Sequence, residues 1–248
     1  SPNDEWADFE IMPIRVASSL ASQPKGSYVR DAFLRGLLLE ENEGFNPYKF
    51  GVIGSSDTHN AAGSFEEDNY WSKIGINDIT GEQRGSVPLA NPEDPPVMLE
   101  DDPSGPVPAV APDGRVYANA AAQYWGASGL AAVWAESNTR SDIYDAFRRK
   151  ETFSTSGPHI KVRFFASNDF ADGLVEGADS IAQAYAQGVP MGRDLSNQTD
   201  GAPEFFVWAS QDADSAALQR LQIIKGWIEA GEGKEVVYDV ACSDGGEV

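Results

Sequence analysis

The stretch that decides the fold is Lys49-Phe-Gly-Val-Ile-Gly-Ser-Ser-Asp-Thr-His-Asn60, in which an apolar run meets a polar turn. Residues 48–54 predict a short buried strand, because an apolar run of this length is followed by turn-forming residues. In α/β barrels and doubly wound sheets, the loops that follow such strands bind ligands. We therefore expect an α/β fold with residues 55–60 at its ligand-binding edge.

Apolar periodicity elsewhere in the chain predicts further helices and strands. The helices are expected over residues 27–42, from Asn138 or Thr139 to about Lys150, and over residues 182–186. The strands are expected over residues 129–135, 160–164, 204–210, 221–225 and 235–241. Because strands dominate the later part, we expect an α/β body over residues 1–166 and a small β-rich extension over residues 167–248.

Residues 85–114 differ from the rest in composition. They hold more than half of the chain's 15 prolines, six acidic residues and no Lys or Arg. Such a segment can form neither a regular helix nor a central strand. We interpret it as an insertion in the body, either an extended surface arm or an active-site lid.

The charge of the chain excludes several classes of partner. Its 248 residues include 18 Lys+Arg and 39 Asp+Glu, which gives a formal net charge of −21. This surface repels phosphate backbones and anionic lipids, so we expect no nucleic-acid partner, and no apolar run is long enough for a membrane span. The acidity also suits a solvated surface in a salty habitat. Cys242 is the single cysteine, which excludes an internal disulfide and a cysteine-based zinc cluster.

Asp57 and His59 are the first candidate site residues. In extended backbone, residues two positions apart point to the same side. The carboxylate and the imidazole would therefore point toward one common ligand. That pair of donors suits zinc, manganese or iron. A capped turn with a hydrogen-bonded histidine explains the same residues without a metal.

Glu136 and Arg140 are the second pair of candidates, at the end of the predicted strand 129–135. Glu136 would bind metal or act as a general base, and Arg140 would hold an anionic group. The alternative is capping of the next helix with a surface ion pair, and the cations at 148–150 suit the other end of that helix. His159, the other histidine, is either a ligand at a strand start or a structural residue.

Six stretches together resemble a bacterial family known as "domain of unknown function 3604", a branch of the PHP (polymerase and histidinol phosphatase) superfamily of metal-dependent hydrolases. They follow the family's order and cover most of the chain. They are Lys49–Asn60 as quoted above, Gly129-Leu-Ala-Ala-Val-Trp-Ala-Glu-Ser-Asn-Thr-Arg140, Thr155-Ser-Gly-Pro-His-Ile160, Val189-Pro-Met-Gly192, Gln222-Ile-Ile-Lys-Gly-Trp227 and Val237-Tyr-Asp-Val240. The sequence departs from the family at His159, where Arg is more usual, and at Arg193, where Gly is expected.

The resemblance implies a distorted PHP-like β/α barrel with divalent metal ions at the carboxyl ends of its strands. Asp57 and His59 match two of the metal ligands. The implied cofactors are manganese, zinc or iron, and the implied activity is hydrolysis of a phosphate ester or another small-molecule ester by metal-activated hydroxide. Glu136 and Arg140 are then expected at the rim of the active site.

One part of the family pattern is missing. PHP-like domains begin with a His-x-His motif, whereas this chain has only two histidines, 100 positions apart. We therefore interpret the chain as the C-terminal portion of such a domain, whose ligand set is completed by a missing N-terminal half or a partner chain. The alternative function is a non-catalytic binding or assembly subunit with a vestigial metal site. The sequence does not identify the cellular compartment. Relatives of the chain often look exported, which suggests a periplasmic or exported location.

The C-terminal interpretation predicts self-association. The apolar runs around residues 52–53 and 130–134 would lack neighbours and expose sheet edges, which favour pairing with another chain. We expect sedimentation velocity to show oligomers of the purified chain, or binding to its missing half. A monomer without an exposed apolar patch would count against this interpretation.

Overall fold

The computed structural model describes residues 4, 21–56, 58–59, 61, 65–66, 80–84, 87–93, 107–119, 128–196 and 201–243. The chain divides into two compact units. The first unit comprises Ser1–Lys49, Ser55–Ser128 and Gln222–Val248, and the second comprises Phe50–Gly54 and Gly129–Leu221. The division at residues 166/167 that the sequence suggests stays a prediction.

The described elements are four α-helices, nine strands and a 3-10 helix. In chain order they are α1 (Val29–Glu43), α2 (Gly81–Arg84), β1 (Val107–Val110), β2 (Val116–Asn119), β3 (Ala131–Val133), α3 (Arg140–Arg149), β4 (Thr152–Ser154), β5 (Lys161–Ser167), the 3-10 helix Leu174–Glu176, α4 (Ser180–Gln187), β6 (Val189–Pro190), β7 (Glu204–Ser210), β8 (Arg220–Glu229) and β9 (Glu232–Cys242). None of the described helices has the length and apolar character needed to cross a membrane.

The described strands form four small sheets: β1-β2, β3-β4, β6-β5-β7 and β8-β9. Every pair with a defined register is antiparallel. The mixed α/β class expected from the sequence is confirmed, but the sheets formed by the described strands do not close into a barrel.

Local patterns located most of these elements correctly. The helix expected to start at Asn138 or Thr139 is α3, and its N-cap is Thr139, whose Oγ1 accepts a bond of 3.2 Å from Asp142 N. Lys150 ends this helix in the left-handed conformation. The strand expected over residues 204–210 is β7.

The prediction of a buried strand over residues 48–54 is wrong. These residues form no strand, and Val52 and Ile53 are 43% and 44% exposed. One contact of the segment is a side-chain bond, in which Thr152 Oγ1 donates to Val52 O over 2.7 Å. This bond ties residue 52 to β4 without adding to a backbone ladder.

The C-terminal end of the segment 85–114 contains an edge strand, and the expectation for this segment excluded only a regular helix and a central strand. Residues 107–110 form β1, which pairs with β2 through the register Val107↔Asn119 to Val110↔Val116. Pro108 is tolerated because a two-stranded sheet consists of edge strands, where a missing N–H need not break a ladder. Residues 94–106 lie outside the described part of the chain.

The first unit packs α1 against the β8–β9 hairpin. Leu34 occupies the space left by two hairpin glycines, and a Cβ on Gly226 would lie 2.9 Å from Leu34 Cδ2. The hairpin turns at Ala230 and Gly231, which have φ values of 52° and 75°. Two consecutive positive φ values define the tight turn that suits the twist of a hairpin.

The second unit has its core between α4 and the β6-β5-β7 sheet. Its buried residues are Phe165, Leu174, Ala184 and Phe206. Phe165 of β5 lies opposite Phe206 of β7, and their rings stack with centroids 6.0 Å apart. This sheet supplies the rigid support for the loops at its ends.

Trp134 links the β3–β4 sheet to the larger sheet of the second unit. Its indole Nε1 donates to Val162 O over 2.9 Å, and its ring stacks on Phe153 of β4 at 5.6 Å. Its other neighbour in the sheet is Trp208 of β7, in an edge-on arrangement with centroids 6.5 Å apart. One side chain therefore fixes how the two sheets meet.

We predict that Gly192→Ala destabilises the second unit more than Gly173→Ala does. Both glycines have positive φ, 83° and 76°, so both substitutions cost about 1–2 kcal/mol of backbone strain. A Cβ at Gly192 would also meet Lys150 O and lie 2.6 Å from Lys150 Cβ, whereas a Cβ at Gly173 has nothing within 4 Å. Overpacking of this kind adds about 1–3 kcal/mol. Urea unfolding monitored by Trp fluorescence measures the free energy of unfolding of each variant. Equal decreases in that free energy would contradict the close approach of residue 192 to α3.

Candidate functional site

The segment before the Asp-x-His motif lies beside β4. A Cβ on Gly51 would be 2.9 Å from Lys150 Cβ, and a Cβ on Gly54 would be 3.0 Å from Ser154 Oγ. Residue numbers increase in the same direction along the segment and along residues 150–154, so the segment and β4 run parallel to each other. Glycines at 51 and 54 permit this close approach, so the sequence leading to the motif is fitted to its neighbour.

The candidate metal ligands are only partly described. His59 is exposed, whereas Asp57 lies outside the described residues. Between them in the sequence, the hydroxyl of Thr58 is 2.8 Å from that of Ser56. Among the residues that the structure describes, no group of three or more His, Cys, Asp or Glu side chains is arranged to hold a metal ion.

Glu136 lies at the opposite end of the β3–β4 sheet from Gly54. The antiparallel register pairs Ala131 with Ser154 and Val133 with Thr152. Gly54 therefore lies at the Ala131 end, and Glu136 follows the Val133 end. Parallel strands would have brought the two carboxyl ends together, as the barrel expectation assumed, but antiparallel pairing separates them.

Arg140 and Glu136 line different depressions. Arg140 is the first residue of α3 and lines a shallow hollow along that helix with Tyr144 and Phe147. Glu136 is exposed and lines a separate pocket. The structure therefore does not bring this predicted pair together.

His159 is half-buried and is tied to a loop carboxylate. Its backbone N–H donates to Asp212 Oδ2 over 2.7 Å. This bond, together with one from the N–H of Asp214, holds the pKa of Asp212 below its ordinary value. This contact supports a structural role for the backbone of His159.

The most distinctive pocket of the second unit contains three arginines. Its volume is about 520 Å³. The lining residues are Trp134, Ala135, Glu136, Arg149, Glu151, Arg163, Tyr185, Pro190 and Arg193. In a chain with only 18 basic residues against 39 acidic ones, this concentration of cations is unusual. The three cations favour an anion at this pocket although the chain as a whole is acidic.

Arg163 is held in a fixed position on the pocket wall. Its Cζ lies 3.5 Å from the centroid of the Trp134 ring, a cation–π contact. Its Nη1 donates to the hydroxyl of Tyr185 over 2.8 Å. In the part of the chain that the structure describes, Arg163 forms no ion pair with a carboxylate.

Glu151 connects Arg163 to Arg149 through Tyr185. The Tyr185 hydroxyl donates to Glu151 Oε1, and Arg149 Nε donates to Glu151 Oε2 over 3.3 Å. Glu151 is only 3% exposed, and a buried carboxylate requires such partners. Burial, and after it the bond to Glu151, raises the pKa of Tyr185 to about 12, so the phenol keeps its proton at neutral pH.

The sequence alone did not predict this pocket. In the sequence, the cation at 149 suits the end of a helix, and Arg193 is distinguished only as a departure from the family pattern. The three arginines come from α3, β5 and the turn after β6, and no local spacing connects them. The usable signal was the scarcity of basic residues, which makes each arginine in an ordered element worth examining.

Comparison with known proteins places the chain in one family. The model of the family described as "Protein of unknown function (DUF3604)" matches residues 1–248. No curated protein and no solved structure matches the chain. Because the match covers all 248 residues, the chain belongs to the DUF3604 family.

Proposed function

We propose that this chain is the C-terminal portion of a PHP-like, metal-dependent hydrolase of phosphate or other esters, with Asp57 and His59 as metal ligands. Its membership of the DUF3604 family supports this proposal, together with the resemblance of that family to PHP enzymes. The observation that carries the proposal is the placement of residues 50–54 beside β4, directly before the Asp-x-His motif.

This placement matters because a metal ligand needs a supported backbone. Thr152 Oγ1 holds Val52 O, and two glycines let the segment approach β4 closely. In the sequence, the motif begins three residues after Gly54. His59 is an exposed residue.

The chemistry of these donors fits a divalent metal. One carboxylate and one imidazole suit manganese, zinc or iron. A catalytic metal usually has at least three protein ligands, so we propose that a missing N-terminal half or a partner chain supplies the others. When bound, the cation supplies Lewis acidity and lowers the pKa of a water molecule.

Within this proposal, the chain's own residues have separate tasks. Asp57 and His59 hold the cation and leave the ester a place beside it. Glu136 and Arg140 stay predictions for the active-site rim, and their positions on different depressions make each of them testable by itself.

A second candidate function is a non-catalytic binding or assembly subunit. The observation that favours it is the exposure of Val52 and Ile53, at 43% and 44% of their surface. Adjacent exposed apolar side chains are suited to contact with another chain.

We predict that natively purified protein contains manganese, zinc or iron, and that the double variant Asp57→Ala/His59→Ala loses it. The two substitutions remove both proposed donors from one stretch. Elemental analysis gives the stoichiometry per chain. His159→Ala is the matched control, because it removes the other histidine and should keep the metal.

Three results would contradict the proposal. These are a parent protein without metal, a double variant that keeps its metal, and equal loss in the His159→Ala control. Circular dichroism of each variant separates loss of ligands from loss of fold. A metal-free parent would move the assignment to the binding or assembly subunit.

A further inference from the structure

The arginine-lined pocket of the second unit has more hydrogen-bond donors than the protein uses. A guanidinium carries five N–H groups. Within the described residues, Arg149 donates from Nε to Glu151 and from Nη2 to Trp134 O. Arg163 donates from Nη1 to the hydroxyl of Tyr185. The Arg193 side chain forms no hydrogen bond or ion pair with any described residue. Most of these donors therefore point to water or to a ligand.

The acidic residues of the pocket do not neutralise these cations. Glu151 and Glu136 face three arginines. Both oxygens of Glu151 already accept bonds, from Tyr185 and from Arg149. The pocket thus keeps a local positive charge in a chain whose net charge is −21. Planar guanidinium groups match the oxygen pairs of carboxylates and phosphates.

The size of the pocket indicates a ligand larger than an inorganic ion. A volume of about 520 Å³ lies within the range of small-molecule sites. Pro190 and the ring of Tyr185 contribute apolar surface to the same walls. We infer that this pocket binds a small organic molecule through an oxyanion head, a phosphate monoester or a carboxylate. The inference goes beyond the proposed metal chemistry and does not depend on it, because the described residues that line the pocket all belong to the second unit, whereas residues 55–128 belong to the first.

Two of the three arginines are already oriented for such a ligand. Arg163 is fixed by the Trp134 ring and by Tyr185, so little side-chain freedom is lost when it binds an anion. Arg149 is fixed by Glu151 and by the carbonyl of Trp134. Arg193 is exposed and stands next to Gly192, in the turn that approaches α3.

The test is isothermal titration calorimetry of the full chain with three probe molecules, each of which carries one phenyl ring. Phenyl phosphate and benzoate carry the two proposed head groups, and benzyl alcohol is the uncharged control. We expect binding of phenyl phosphate, benzoate or both, and none of benzyl alcohol. The stronger of the two anions identifies the head group. Equal binding of benzyl alcohol, or no binding of either anion, would overturn the inference.

The matched variants are Arg193→Ala and Arg148→Ala. Each removes one exposed arginine, but only Arg193 lines the pocket. We expect Arg193→Ala to weaken anion binding about tenfold, as loss of a charged hydrogen bond does, and Arg148→Ala to change it less than about twofold. Equal weakening by both variants would mean a general charge effect and would overturn the site.

A third variant tests the role of guanidinium geometry. Arg163→Lys keeps the positive charge but loses the planar donor fork over Trp134. We expect it to weaken binding about tenfold and to shift the indole N–H resonance of Trp134, which also reports ligand addition in the parent. Unchanged affinity would remove Arg163 from the site.

Failure of this inference and failure of the metal proposal are distinguishable. The titrations are repeated on protein treated with a chelator and on Asp57→Ala/His59→Ala. We expect unchanged anion binding in both. Anion binding that disappears with the metal would overturn the pocket as a separate site.

Discussion

The second unit depends on the contacts of a single side chain, Trp134. Its indole N–H is bonded to β5, its ring lies on Phe153 of β4, and one face carries the guanidinium of Arg163. An aromatic ring with a polar tip can pack and hydrogen-bond at once, and such rings contribute much of the packing energy where elements meet. Moving this indole would remove these contacts between the β3–β4 sheet and the larger sheet and would also release the cation that it supports.

The fold was predictable where its cause is local. The Thr139 cap and the left-handed Lys150 bound α3, and alternation along residues 204–210 located β7. Strand pairing was not predictable: residues 48–54 resemble a strand in sequence but form none, and Val52 O accepts its bond from the side chain of Thr152. Whether neighbouring strands run parallel or antiparallel depends on contacts between distant residues, and a single sequence does not record them.

The candidate site residues likewise divide into those that local spacing could predict and those that it could not. Asp57 and His59 stand two positions apart, so spacing alone could propose them as a pair. The antiparallel pairing of β3 and β4 places Glu136 away from Gly54, which spacing could not foresee. The arginines of the pocket are separated by 14 and 30 positions, and only the tertiary structure brings them together. Short-range patterns therefore found the candidate ligands and missed the candidate anion pocket.

The positive pocket on a strongly acidic chain has a kinetic consequence. At long range an approaching anion meets the field of a net charge of −21, whereas near the three arginines the local charge is positive. The Debye length falls from about 30 Å at 0.01 M salt to about 10 Å at 0.1 M, so dissolved salt weakens the distant repulsion more than the contact attraction. Entry of an anion should therefore quicken as salt is added from very low levels, the reverse of ordinary electrostatic steering. A surface of this kind admits anionic small molecules most readily in saline water.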